Sequence, residues 1–232
     1  MVIASGASLQ FNRSNNLTFS ATISGAGNIS QIGSGVLTLN GTNTYTGGTT
    51  IANGTLSLGS ASAIGPAGTS AANGNITFSG GTLQYSASNQ VDYSGRFSTA
   101  DNQQYKIDTN GQNITLASAL TSNNGTLVKY GSGTLTLTNS NTFTGNTTIE
   151  AGTLSIGNAG AAGTLASANV INNGTLQFNR SDANSYSGNL SGTGALTKLL
   201  SSITTLSGNL SYTGNTAVTG GLVMTEIGRA HV

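Results

Sequence analysis

The sequence predicts an all-β chain wound into a right-handed parallel β-helix, and three observations carry that prediction. They are an internal repeat, short strands of period two, and a spacing between strands that matches one solenoid coil. Residues 33–59 read GSGVLTLNGTNTYTGGTTIANGTLSLG and residues 131–157 read GSGTLTLTNSNTFTGNTTIEAGTLSIG. These copies align without a gap at an offset of 98 residues (131 − 33) and agree at roughly two thirds of positions. A second register, offset 167 (176 − 9), lays Leu9–Thr49 on Leu176–Thr216, so that LQFNRS meets LQFNRS and the YTGGT at Tyr45 meets the YTGNT at Tyr212. A β-sandwich or barrel would also supply many short strands. An ungapped copy 98 residues away points instead to the solenoid.

The strands follow from local chemistry. Gly-Thr-Leu or a close variant recurs at Gly6, Gly35, Gly54, Gly74, Gly81, Gly125, Gly133, Gly152, Gly174 and Gly194. Apolar and hydroxyl residues alternate after it: Leu37 and Leu39 point one way with Thr38 the other, Leu56 and Leu58 oppose Ser57, and Leu154 opposes Ser155. Each such run is a half-buried strand with an inward leucine row. Gly35 to Gly54 and Gly133 to Gly152 are each 19 residues, and Gly152 to Gly174 is 22. That length holds three short strands and their turns, so the next coil lies about 4.8 Å along the axis and roughly ten coils make a rod some 45 Å long. Copies are expected to stack in register, with Leu37 and Leu39 over Leu56 and Leu58, and with Tyr45 and Phe143 in equivalent places.

Residues 1–224 are expected to form one continuous repeat region, a fragment of a longer repeat protein, because ASLQFNRS at Ala7 to Ser14 matches GTLQFNRS at Gly174 to Ser181 and so opens within a coil. The Ala-rich runs 60–72 and 158–168 are interrupted by glycine and are expected to be loops. Between Leu83 and Leu116 the chain departs from the repeat and gathers Asp92, Arg96, Asp101, Lys106 and Asp108 with Tyr93, Phe97 and Tyr105. This insertion, residues 89–110, is expected to add a coil with a protruding loop. A third unit reads LLSSITTL where GSGTLTL is expected, yet it keeps YTGNT. Residues 225–232 continue no strand and form a non-repeat, artefact-like tail.

Composition narrows the function classes. Only 6% of residues are charged, against about a quarter in ordinary soluble proteins, and the net charge is +1. No basic patch is left for nucleic acid or anionic lipid. Cysteine is absent, which excludes disulfides and thiolate metal sites. No run approaches the roughly 18 apolar residues of a membrane-spanning helix. The acids are Asp92, Asp101, Asp108, Glu150, Asp182 and Glu226, and the one histidine is His231. Asp101 and Asp108 are the only close carboxylate pair, and no Ser, His, Asp set can be assembled. The expectation is no catalytic, cofactor or metal residue, no cofactor, no enzyme activity and a monomer.

The two long copies resemble the passenger-associated transport repeat, also called the autotransporter-associated β-strand repeat. Its marks here are GSGTLTL, an aromatic followed by TG (Tyr45 to Gly47, Phe143 to Gly145), then TTI and GTLSLG. The resemblance implies a stretch of a bacterial type V passenger, surface-exposed or secreted and attached to the outer membrane. Its partner would be the protein's own C-terminal β-barrel, which this chain does not carry, and its folding outside the cell would aid transport. Two alternatives accompany it. One is an adhesin that binds host protein or carbohydrate through outward Thr and Asn faces and the 89–110 insertion, with Tyr93, Phe97 and Tyr105 as contacts. The other is a β-helix polysaccharide lyase or hydrolase.

Overall fold

A computed structural model describes residues 1–65 and 74–225. Every paired strand in it is parallel to its neighbour. The chain is a β-solenoid of about 11 turns. At one strand spacing per turn the rod is roughly 50 Å long.

Three sides run along it. The first is a nine-stranded sheet containing Leu17–Phe19, Val36–Leu39, Thr55–Leu58, Thr82–Gln84, Gln104–Asp108, Thr126–Tyr130, Thr147–Ile149, Asn169–Asn172 and Asn189–Ser191. The second is a six-stranded sheet that includes Ile114–Leu116, Thr134–Leu137, Thr153–Ile156, Thr175–Asn179 and Ala195–Leu199. The third is made of shorter sheets, among them Ser8–Phe11, Asn28–Gln31, Thr49–Ile51 and Ile76–Phe78, and later Asn184–Tyr186, Ile203–Leu206 and Gly221–Met224.

The core is a set of columns. Leu37 pairs with Leu56 and Leu39 with Leu58, as the leucine spacing predicts. Leu56 then meets Leu83, which meets Ile107. On the second side Leu135, Leu154, Leu176 and Leu196 form one line, all fully buried. Each leucine taken out of water contributes about 1.5 to 3 kcal/mol, and like meeting like lets the layers interdigitate without voids.

The corners explain the glycines. Gly54 and Gly152 have φ of +57° and +68°, and a Cβ on either would stand 2.4 Å from the carbonyl oxygen of the glycine one coil below, Gly35 or Gly133. Backbone stacks on backbone there, so only glycine combines the left-handed turn with the close approach.

Two expectations are corrected. The insertion is not a protruding loop. It adds one turn, from Leu83 to its partner Ile107, and Tyr93, Arg96, Phe97 and Tyr105 all lie inside it. Its aromatics pack into the core: Phe97 and Tyr105 lie 4.9 and 5.5 Å from the Phe78 ring, and Tyr105 reaches Phe143 at 6.4 Å. Edge-on ring contacts of this kind fill the core of this turn. Nor do the long copies stack in register with each other. Val36–Leu39 belongs to the nine-stranded sheet, whereas its equivalent, Thr134–Leu137, belongs to the six-stranded one.

Ser155 also differs from expectation. It is 2% exposed, donating from Oγ to the Gly157 carbonyl at 3.0 Å and accepting from Gln177 Nε2 at 3.2 Å. The described residues of the Ala-rich runs are bends and turns with short pairings, Ala63 with Gly65 and Thr164–Leu165 with Ser140–Asn141. Residues 66–72 of the first run and the tail beyond Thr225, with Glu226 and His231, lie outside the described residues.

Candidate functional site

Charged side chains in this chain mostly support its turns. At the last inward position before each repeat turn stands a polar residue: Gln31, Lys129 or Lys198, at most 3% exposed. Gln31 Nε2 donates to the Gly33 and Gly35 carbonyls at 2.8 and 3.1 Å. Lys129 Nζ has four oxygens around it, those of Thr109 Oγ1, Tyr130, Gly131 and Ala151, at 2.7 to 3.2 Å. Lys198 Nζ does the same with the Leu199 and Leu200 carbonyls and Ser202 Oγ. A tight turn aims carbonyls into the rod where water cannot reach them, and these groups satisfy them. Burial pulls the Lys129 ammonium down to about 8, opposed by the charge of Asp108, and burial also lowers Lys198.

Two arginines secure the Ala-rich loops. Arg96, fully buried, donates from Nε to the Gly74 carbonyl at 3.0 Å and from Nη1 to that of Ile64 at 2.9 Å, with its guanidinium 5.7 Å from the Tyr93 ring centre. Arg180 donates to the Gly163 and Ala161 carbonyls and pairs with Asp182 at 2.8 Å. That bond holds the Asp182 carboxyl below its usual range.

Asp101 and Asp108 are not brought together as a pair. Asp101 lies in the turn before Gln104–Asp108 and Asp108 at its far end, so the strand itself, roughly 13 Å long, separates them. Glycosidic cleavage needs carboxyls about 5 to 9.5 Å apart and facing. Asp108 instead accepts from Gln84 Nε2 and the Asn110 amide, both at 2.8 Å. Asp92 accepts from the Ser94 and Ala117 amides at 2.8 and 2.9 Å. Among the described residues no group of three or more His, Cys, Asp or Glu could hold a metal ion. The aromatic contacts expected of the insertion are unavailable to a ligand, since Tyr93 and Tyr105 are at most 1% exposed and Phe97 is 6% exposed.

Hydroxyls and amides recur on the outward positions. Thr42, Thr44 and Thr46 are exposed on alternate positions, with Asn43 and Tyr45 turned inward between them. Ser140, Thr142 and Thr144 repeat this around Asn141 and Phe143, and Asn209, Ser211 and Thr213 around Leu210 and Tyr212. Asparagines add a ladder: Asn169 Nδ2 donates to Asn146 Oδ1 at 3.0 Å, and Asn189 Nδ2 to Asn169 Oδ1 at 2.9 Å.

Comparison with known proteins fits this uncharged, stacked architecture. The Passenger-associated-transport-repeat family model matches residues 29–58 and 127–156, stretches that contribute Leu37, Leu56, Leu135 and Leu154 to the leucine columns. Over 201 residues the chain is 37% identical to the adhesin BmaC autotransporter of Brucella suis biovar 1 (strain 1330), an alignment covering 78% of this chain. The chain carries two autotransporter passenger repeats and is similar to an autotransporter over most of its length. The alignment covers 5% of the Brucella protein's own length. No solved structure matches it. Passengers of this kind are surface-exposed or secreted parts of outer-membrane-tethered proteins.

The polar residues before the turns were not legible as a site. Their only signal is that Gln31, Lys129 and Lys198 occupy one repeat position, where a strand otherwise carries an apolar residue.

Proposed function

We propose that this region is a structural stalk of the passenger: one continuous repeat rod over residues 1–224, monomeric, whose coil-by-coil folding outside the cell aids transport through an outer-membrane barrel of the same protein. The observation that carries the reading is the stacking of inward apolar residues from coil to coil, as in Leu37, Leu56, Leu83 and Ile107 on the first side and Leu135, Leu154, Leu176 and Leu196 on the second. A coil that docks on the one before it buries several leucines or isoleucines, each worth about 1.5 to 3 kcal/mol, and so opposes back-sliding of the exported chain. The engaged carboxylates support a non-enzymatic role. The relative's designation as an adhesin supports a second reading, in which the passenger adheres through its outward Thr, Ser and Asn positions.

The test expresses the region fused to an outer-membrane barrel and measures protease-accessible passenger per inserted barrel. Leu154→Asp, at a fully buried column position, should reduce display several-fold, while exposed Thr142→Asp should leave it unchanged. Equal display of the two variants would sink the transport role. Adhesion of the same cells, lost in Thr142→Asp with display intact, would favour the second reading.

A further inference from the structure

The position that opens each unit falls on a different side each time. Gln31 lies in Asn28–Gln31 on the third side, Lys129 in Thr126–Tyr130 on the first, and Lys198 in Ala195–Leu199 on the second. Following Cα partners down from Lys129 gives Ile107, Leu83, Leu56 and Leu37. Four turns below Lys129 stands the second strand of the first unit, not its first. The 98-residue step from Gln31 to Lys129 is therefore four turns and one strand.

The next step, 69 residues from Lys129 to Lys198, behaves alike. Lys129 pairs with Ile149 and Ile149 with Asn172, the following turn passes Gly192 beside Asn172, and Lys198 lies one strand further on. That is three turns and one strand. Steps of different length leave the same remainder.

We infer that the unit is a rotating display: each copy starts one side further round the rod, so its exposed strip faces a new direction. The strip 42–46 lies over Ser24–Gly25, beside which Thr46 donates its amide to the Gly25 carbonyl. The strip 140–144 begins in the strand Ser140–Asn141, paired with Thr164–Leu165, and the strip 209–213 lies over the nine-stranded sheet through the Leu190 and Leu210 bridge. Equivalent outward residues do not line up into one ridge. A partner that grips the strip from one side engages one unit in three, and the rod offers the strip around its whole circumference.

Because cysteine is absent, paired nitroxide labels test this directly. Thr38 and Tyr130 lie on one outward column, linked through Ser57, Gln84 and Asp108 and so four turns apart. Their backbone separation is roughly 19 Å. Thr38 and Thr136 are equivalent repeat positions on different sides. Dipolar distances for the pair Thr38→Cys with Tyr130→Cys should be clearly shorter than for Thr38→Cys with Thr136→Cys. A second comparison guards against a misfolded variant: Thr55 and Thr148 share a column through Thr82, Lys106 and Val128, while Thr50 and Thr148 are repeat equivalents. Thr55→Cys with Thr148→Cys should again give the shorter distance. If the repeat-equivalent pair is the shorter in both sets, the units stack in register and the inference fails.

Discussion

Three copies of one core contact provide an internal control, and a single hydroxyl distinguishes them. Tyr45 OH lies 2.7 Å from Thr49 Oγ1, and Tyr212 OH lies 2.5 Å from Thr216 Oγ1. In the middle copy the tyrosine is Phe143, and the buried Thr147 Oγ1 has no partner. A buried unsatisfied hydroxyl costs about 1 to 3 kcal/mol, whereas a made hydrogen bond returns about 1 kcal/mol net. Phe143→Tyr restores the bond in a ring position that already accommodates tyrosine twice, and it also buries a new phenol. The expected gain is about 1 kcal/mol, or roughly 2 to 4 °C in melting temperature for a chain of this size. Urea unfolding of the four members of a cycle, wild type, Phe143→Tyr, Thr147→Val and both together, reads the coupling. With Val at position 147 the new phenol has no partner, so the gain should vanish and become a loss. A Phe143→Tyr variant that is destabilised whatever stands at 147 would refute the argument.

Leu154→Asp should cost on the order of 4 kcal/mol, because a charge replaces a fully buried leucine between Leu135 and Leu176, while Thr142→Asp should fall within about 0.5 kcal/mol of wild type; equal urea midpoints would remove the assigned facings. Stability should rise between pH 8 and 10, since folded Lys129 titrates near 8 while the unfolded chain still binds that proton up to about 10.4. Above pH 10 it should fall, because burial raises Tyr45, Tyr85, Tyr105, which is pushed up to about 12, and Tyr186, so the unfolded chain loses those protons first. Lys129→Gln, the residue found at position 31, should flatten the rise and keep the fall in a pH series of urea midpoints. Leu200→Gly should stabilise by about 1 kcal/mol, since Leu200 holds φ of 64° where the other copies have Gly33 and Gly131, a conformation that costs a non-glycine residue about 1 to 3 kcal/mol; a lower melting temperature would count against it.

The columns, corners and parallel stacking were legible because period-two leucines and turn glycines state them locally, as Leu37 over Leu56 shows. The insertion departs from its sequence expectation for a physical reason. Charge and aromaticity together suggest a solvated loop, but Arg96 is consumed by the Ile64 and Gly74 carbonyls and the rings of Phe97 and Tyr105 by Phe78. Nothing local signals those partners, which lie 19 to 32 residues away in sequence. Alternation turns Ser155 away from the leucine row, yet Gln177 from the next coil covers it, and period alone carries no information about the neighbour above. The side on which a unit starts is hidden for the same reason, since it depends on how many residues each intervening coil consumes.

The direction of the backbone hydrogen bonds has a mechanical consequence. In every pair they join one coil to the next, from Leu17 with Leu37 at one end to Lys198 with Val218 at the other, so tension between the two ends of the chain loads them nearly along their own axes. Bonds loaded this way open one after another, and the rod should peel from its ends turn by turn without shearing as a block. Each released turn, such as the 20 residues between Leu127 and its partner Thr147, frees roughly 65 Å of chain. Drag on a tethered rod would then be dissipated in many small, reversible extensions, and single-molecule stretching should record a regular series of low-force steps of about that length.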